Sequence, residues 1–124
     1  MIGMAAGFIC FNATNLLKRG LGVDDSLDVF PVHGVGGALG TLLVGVFASA
    51  SLGVFSGQGY AEGVTMGSQL GVQAIGVLAS ATYTAVATFV LLKIVDVILG
   101  LRVSPDEETE GLDLNQHNER GYDL

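Results

Sequence analysis

Three apolar runs separated by polar stretches set the pattern of the chain, and their lengths predict membrane helices. The first covers residues 1–19, with Asn12, Thr14 and Asn15 near its end and Lys18-Arg19 closing it. A span needs about 20 residues at about 1.5 Å each to cross roughly 30 Å of hydrocarbon, so this run is at the short limit. Its basic pair follows the apolar stretch and no small-residue cleavage site comes after, which argues against a signal peptide. Asn12-Ala13-Thr14 has the form of a glycosylation sequon, but inside a span it is a chance match. The amides are expected to hydrogen-bond to neighbouring helices.

A short polar connector, Leu21 to Leu27, leads to the second run at residues 29–52. Asp24, Asp25, Ser26 and Asp28 are all candidate caps for the helix that follows. Pro31 sits in its first turn if Asp28 is the cap, and kinks the helix if the helix begins at Asp24. At α-helical spacing His33 shares a face with Gly36, Gly37 and Gly40, while Leu39, Leu42, Leu43 and Val46 lie opposite. This predicts a histidine presented to a narrow, protein-lined space, with the leucine side toward lipid or a neighbouring subunit. Were His33 at the bilayer midplane, ten residues of helix would lead back to Val23 and set Asp24 and Asp25 at the interface.

Ser51 to Gly63 reads as an irregular loop. The third run, residues 64–100, would be roughly 55 Å long as a helix, so it tilts steeply or projects into water. Lys93, Asp96 and Arg102 favour projection. Gly63, Gly67 and Gly71 form small-xxx-small steps and predict close helix contact at its start.

Composition fits this picture: 50% of the residues are hydrophobic, 14% are charged and the mean hydropathy is +0.60. A soluble helical domain of this size needs polar faces that these runs lack. The net charge of −7 argues against nucleic acid as a partner, and more than half of the acids follow Ser104. Residues 103–124 therefore read as a solvated acidic tail, with Gly111-Leu112-Asp113-Leu114-Asn115 the more structured part. Basic residues close runs one and three and are absent from the loop after run two, which places the first connector and the tail in the cytoplasm. Cys10 is the one cysteine, which excludes an internal disulfide and reads as packing.

The candidate chemistry rests on His33, because ionisable groups within a span are costly and tend to mark pathways. A neutral imidazole donates one hydrogen bond and accepts another, which suits a small polar molecule or a proton relay. One histidine with no second ligand at metal spacing predicts no metal site, and no cofactor is expected. Gly34-Val35-Gly36 is not a dinucleotide fingerprint: Leu39 stands where the third glycine belongs.

The stretch Asp24-Asp25-x-x-Asp28-Val29-Phe30-x-Val32-His33-Gly34-Val35-Gly36-Gly37 closely resembles the tenth-span signature of the ammonium transporter family. Leu17-Lys18 before it, and Gly100-Leu101-Arg102-Val103 followed by acids, Gly111-Leu112-Asp113 and His117 after it, resemble that family's ninth span and C-terminal tail in the same order. The resemblance implies an all-α, polytopic membrane protein, with residues 1–102 supplying three transmembrane helices of an eleven-span trimeric transporter and 103–124 its cytoplasmic tail. His33 matches the second of two pore histidines, and Val29 a pore-lining apolar position. Asp24, Asp25 and Asp28 become structural or vestibule residues. Gly36, Gly37, Gly40, Gly63, Gly67 and Gly71 serve helix packing. Gly111, Asp113 and His117 belong to a regulatory tail.

The implied substrate is ammonium or ammonia. The implied partners are the lipid bilayer, other spans of the same transporter, neighbouring protomers of a homotrimer and a PII-type nitrogen signalling protein. The first pore histidine, the outer recruitment site and the phenylalanine gate belong to earlier spans, so the chain is expected to be a C-terminal portion, inactive by itself. Pro31 departs from the family's usual glycine, Asn115 stands where plant relatives carry a phosphorylatable threonine, and Asn118 replaces a glycine. Other readings of the residues are a membrane sensor module, an inert truncated product and an Rh-type gas channel.

Overall fold

In the computed structural model, which describes residues 1–122, every regular element is helical. Helix α1 spans Ile2–Asn15 and closes in a wide π turn at Leu16–Gly20. A second π turn, Phe30–Val35, opens helix α2 at Gly36–Phe47. Helix α3 runs Met66–Leu99, followed by two short helices, α4 at Pro105–Glu110 and α5 at Leu112–His117. Two stretches, Phe30–Phe47 and Met66–Leu99, are long and apolar enough to cross a membrane.

The chain divides into two compact units, Met1–Ala81 and Thr82–Leu124. Within the first, α1 packs along α2 and the π turn ahead of it. Among the described residues no large aliphatic or aromatic side chain is buried; Pro31, Gly45 and Ser49 are the groups enclosed. Phe8 is 73% exposed and Leu78 66% exposed. Apolar surface in this quantity is stable only against lipid or further protein, because water charges roughly 25 cal/mol for each Å² of it.

The second helix is shorter than residues 29–52, since α2 stops at Phe47 and the chain turns back over its end. The last carbonyls of a helix lack intrahelical donors. Here the loop supplies them: Gly59 N–H donates to Ala48 O at 2.7 Å and Gly57 N–H to Ser49 O at 3.1 Å. Ser56 O–H donates to Ala50 O at 3.0 Å, and Tyr60 O–H to Gly45 O at 2.6 Å. Gly57 is required by this approach, because a methyl group there would lie 2.7 Å from Ala48 Cα. Across from this end, Gly45 meets the side chains of Gln73 and Leu70 on α3.

Helix α3 begins with a reciprocal cap, in which Ser68 N–H donates to Thr65 Oγ1 at 3.2 Å and Thr65 N–H to Ser68 Oγ at 2.9 Å. Gly63 stands in the turn before it at φ +75, so it is a turn glycine and not the first step of a helix contact. Of the other two glycines in that series, a methyl at Gly71 would meet nothing within 4 Å, and one at Gly67 would meet only Thr65 Oγ1, at 3.9 Å. The close contact expected along this glycine column is therefore absent within the described residues. The helix ends at Leu99 with Gly100 left-handed, the usual stop for a helix C-terminus.

In the second unit the acidic end, largely exposed, carries the two short helices α4 and α5. Ser104 caps α4: Glu107 N–H donates to its Oγ at 3.3 Å, and Ser104 N–H returns a bond to Glu107 Oε2 at 2.9 Å. Arg102 grips Glu108 with two bonds of 2.6 and 3.0 Å. Asn115 donates to Glu110 at 3.0 Å, which ties α5 back to α4. The Arg102 guanidinium holds the Glu108 carboxyl below its ordinary range, and the backbone and hydroxyl of Ser104 do the same for Glu107.

Candidate functional site

The site is built from the Leu21 to Leu27 connector upward. Asp25 is the cap of the second helix: its carboxylate accepts from Phe30 N–H at 2.8 Å and Val29 N–H at 2.9 Å. Those two bonds, from Phe30 and then Val29, hold the Asp25 carboxyl below its ordinary range. Asp28 takes a different part. Its backbone is left-handed at φ +56, and its carbonyl accepts Val32 N–H at 3.1 Å. Lys18 Nζ lies 2.8 Å from its Oδ1, without the alignment of a hydrogen bond, so the attraction is Coulombic.

Pro31 is the second residue of the π turn and is fully buried. In the first turn its missing N–H has no partner to lose, so the kink considered for a helix begun at Asp24 does not arise. The helix starts only three residues before His33, and a continuous helical path back to Val23 is absent. Irregular backbone this close to a span is stable only where it faces protein or a water-filled cavity.

His33 is exposed in this chain, as are Val29, Phe30, Val32, Gly34 and Gly37. Leu39, Leu42, Leu43 and Val46, on the side expected to face lipid or a neighbouring subunit, are half-buried. Of the glycines expected on the His33 face, Gly37 is exposed with it, while Gly36, whose N–H donates to His33 O, and Gly40 are half-buried. Gly36 faces α1, since a methyl there would lie 3.1 Å from Cys10 Sγ. Methyls at Gly37 and Gly40 would meet nothing within 4 Å. A methyl at Gly34 would lie 3.0 Å from Phe30 Cδ2, so the Phe30 ring lies over the backbone next to His33.

The amides of α1 turn back on their own helix. Asn12 donates to Phe8 O at 2.7 Å and Asn15 to Phe11 O at 2.9 Å, in place of the neighbouring helices expected for them. Gly111, Asp113 and His117 belong to the second unit, where Gly111 at φ +107 separates α4 from α5 and the other two lie on α5. Sequence reasoning passed over Lys18 as the partner of Asp28 and Tyr60 as the lock on the end of α2. The signal for the first was a lysine closing one run and an aspartate opening the next.

A chain that is all-helical in its described residues, with two helices long and apolar enough to cross a membrane, has the pattern of a helical membrane protein. Residues 1–122 match the Ammonium Transporter Family. A protein of Methanothermobacter thermautotrophicus is 45% identical over 98% of this chain and 30% of its own length. The ammonium transporters of Bacillus subtilis and Archaeoglobus fulgidus are each 37% identical over 98% of this chain and 30% of their own. The chain belongs to the ammonium transporter family and spans about 30% of the length of the curated relatives it matches.

Proposed function

We propose that this chain is the C-terminal part of an ammonium transporter and supplies one wall of a histidine-lined pore that carries ammonia or ammonium across the membrane. In this reading α1, the π turn with α2, and α3 are three spans of an eleven-span fold. Three copies form a trimer, and residues 103–124 are the cytoplasmic tail, which a PII-type protein can engage. The observation that carries the reading is the exposure of His33 and Val29, in and just before the turn that opens α2, within a segment that matches an ammonium transporter family over residues 1–122.

His33 is the polar group of that wall. Its imidazole exchanges hydrogen bonds with ammonia, while Val29 and the Phe30 ring offer no ligands to replace a cation's water shell. A hydrated metal cation entering between such walls loses hydration it cannot recover, and a neutral molecule pays far less. Asp24, Asp25 and Asp28 lie on the cytoplasmic approach, where Lys18 meets the charge of Asp28.

The reading also implies that the chain alone conducts nothing, because the opposite wall is missing. The test uses vesicles with a pH-sensitive dye inside. Vesicles holding a complete transporter, made by joining this chain to the preceding spans of the Bacillus subtilis ammonium transporter, should alkalinise rapidly on addition of ammonium. Vesicles holding this chain alone should follow the empty-vesicle rate. Rapid alkalinisation by the chain alone, or none by the complete protein, would overturn the proposal.

A further inference from the structure

We propose that Lys18 and Asp28 are positioning residues for His33, an ion pair between the end of α1 and the start of the π turn that fixes the direction in which the imidazole faces. The inference rests on the pore reading above for its consequence, while its geometry stands on the connector alone.

The connector is tied down at both ends. Leu21 N–H donates to Leu16 O at 3.0 Å and Val23 N–H to Leu17 O at 3.0 Å, so the chain leaves α1 along the same turn that carries Lys18. At the other end the Asp25 carboxylate holds Val29 and Phe30, and the Asp28 carbonyl holds Val32. Asp28 is the pivot between the two sets, because its left-handed φ of +56 sends the chain into the π turn five residues before His33. An aspartate tolerates that conformation better than most residues but does not impose it. The Lys18 ammonium 2.8 Å from its Oδ1 fixes the side chain and joins the connector to α1.

The path from this pair to the imidazole is short. Asp28 binds Val32, Val32 precedes His33, and the Phe30 ring covers Gly34 on the other side. Both partners are about one-third exposed, at 39% and 33%, so water weakens the pair and its removal should tilt the turn without unfolding the chain. Asparagine also tolerates a left-handed backbone, so Asp28→Asn removes the charge and keeps the conformation.

The experiment uses the complete transporter described above, with variants Lys18→Gln, Lys18→Arg, Asp28→Asn and the Lys18→Gln/Asp28→Asn pair, assembly being checked by gel filtration. Lys18→Gln and Asp28→Asn should each lower maximal ammonium flux about threefold with KM unchanged, Lys18→Arg should keep it, and the double variant should lose no more than either single one. Normal flux in Asp28→Asn, or losses that add in the double variant, overturns the proposal. A second measurement needs no transport. In this chain in bilayer discs, with Cys10→Ala and His33→Cys, maleimide labelling at position 33 should change about threefold on adding Lys18→Gln and stay put on adding Lys18→Arg. Labelling rates alike in all three overturn the positioning role. Absent flux in the unmutated complete transporter counts against the pore reading instead, and leaves the labelling result to decide this one.

Discussion

Tyr60→Phe removes one oxygen from the molecule, and that oxygen holds the loop after α2 onto the helix end. The hydroxyl donates to Gly45 O at 2.6 Å and lies 3.3 Å from Val46 O. Gly45 is buried, so water does not readily replace the lost donor. A net hydrogen bond contributes about 1 kcal/mol, and stranding a buried acceptor raises the cost to about 1–3 kcal/mol. Taking about 1.5 kcal/mol, the opened form of the loop should rise roughly tenfold. Amide hydrogen exchange in bilayer discs reads this directly, since Gly57 N–H and Gly59 N–H are protected by their bonds to Ser49 O and Ala48 O. Exchange at both should quicken about tenfold, while Gly100 N–H, bonded to Asp96 O, should not change. Equal exchange at Gly57 and Gly59 in the two proteins would show that the loop is held by its backbone bonds alone and refute the role given to Tyr60.

Gly36→Ala should destabilise α1 packing by about 1–3 kcal/mol, because its methyl would lie 3.1 Å from Cys10 Sγ, while Gly37→Ala, with nothing within 4 Å, should not. Thermal unfolding of both in detergent checks this, with Cys10→Ala expected to relieve the first. Acid should loosen the α4 cap: Glu107 and Glu108 have carboxyls held below the ordinary range, so their contribution is fully present above the unfolded value, about pH 4.3, and is lost as pH falls through the folded one. Carboxyl carbon NMR should show both titrating below the ordinary glutamate range, and Arg102→Gln should return Glu108 toward that range while leaving Glu107 low.

The helical character was legible in the sequence because long apolar runs between polar breaks leave few alternatives. The resemblance carried by Asp24 to Gly37 reached the family, since that block is read residue by residue. What escaped was set by backbone geometry and by distant partners. A π turn has no side-chain signature of its own, so the wide turn over Phe30–Val35 left no mark in the sequence. The return of the loop over α2 depends on Tyr60 meeting carbonyls 14 and 15 residues earlier, which no local pattern states. The tail was different, because Ser104-Pro105-Asp106-Glu107 has both the capping-box spacing and a proline at the first helical position. That signal was present, but the acidic composition outweighed it.

The central claim is that His33 decides what passes the pore rather than holding the fold together. His33 is exposed in this chain, so its substitution is expected to leave the packing of the described residues in place. His33→Glu puts an acid where a neutral hydrogen-bonding ring stood, and a carboxylate offers a dehydrating cation the counter-charge that the native wall withholds. The deciding measurement is paired ammonium and potassium flux in the complete transporter, native and His33→Glu, with assembly established for both. The account predicts normal assembly and potassium flux raised about tenfold relative to ammonium, a change of about 1.4 kcal/mol in the barrier. An assembled His33→Glu protein with native selectivity would contradict it.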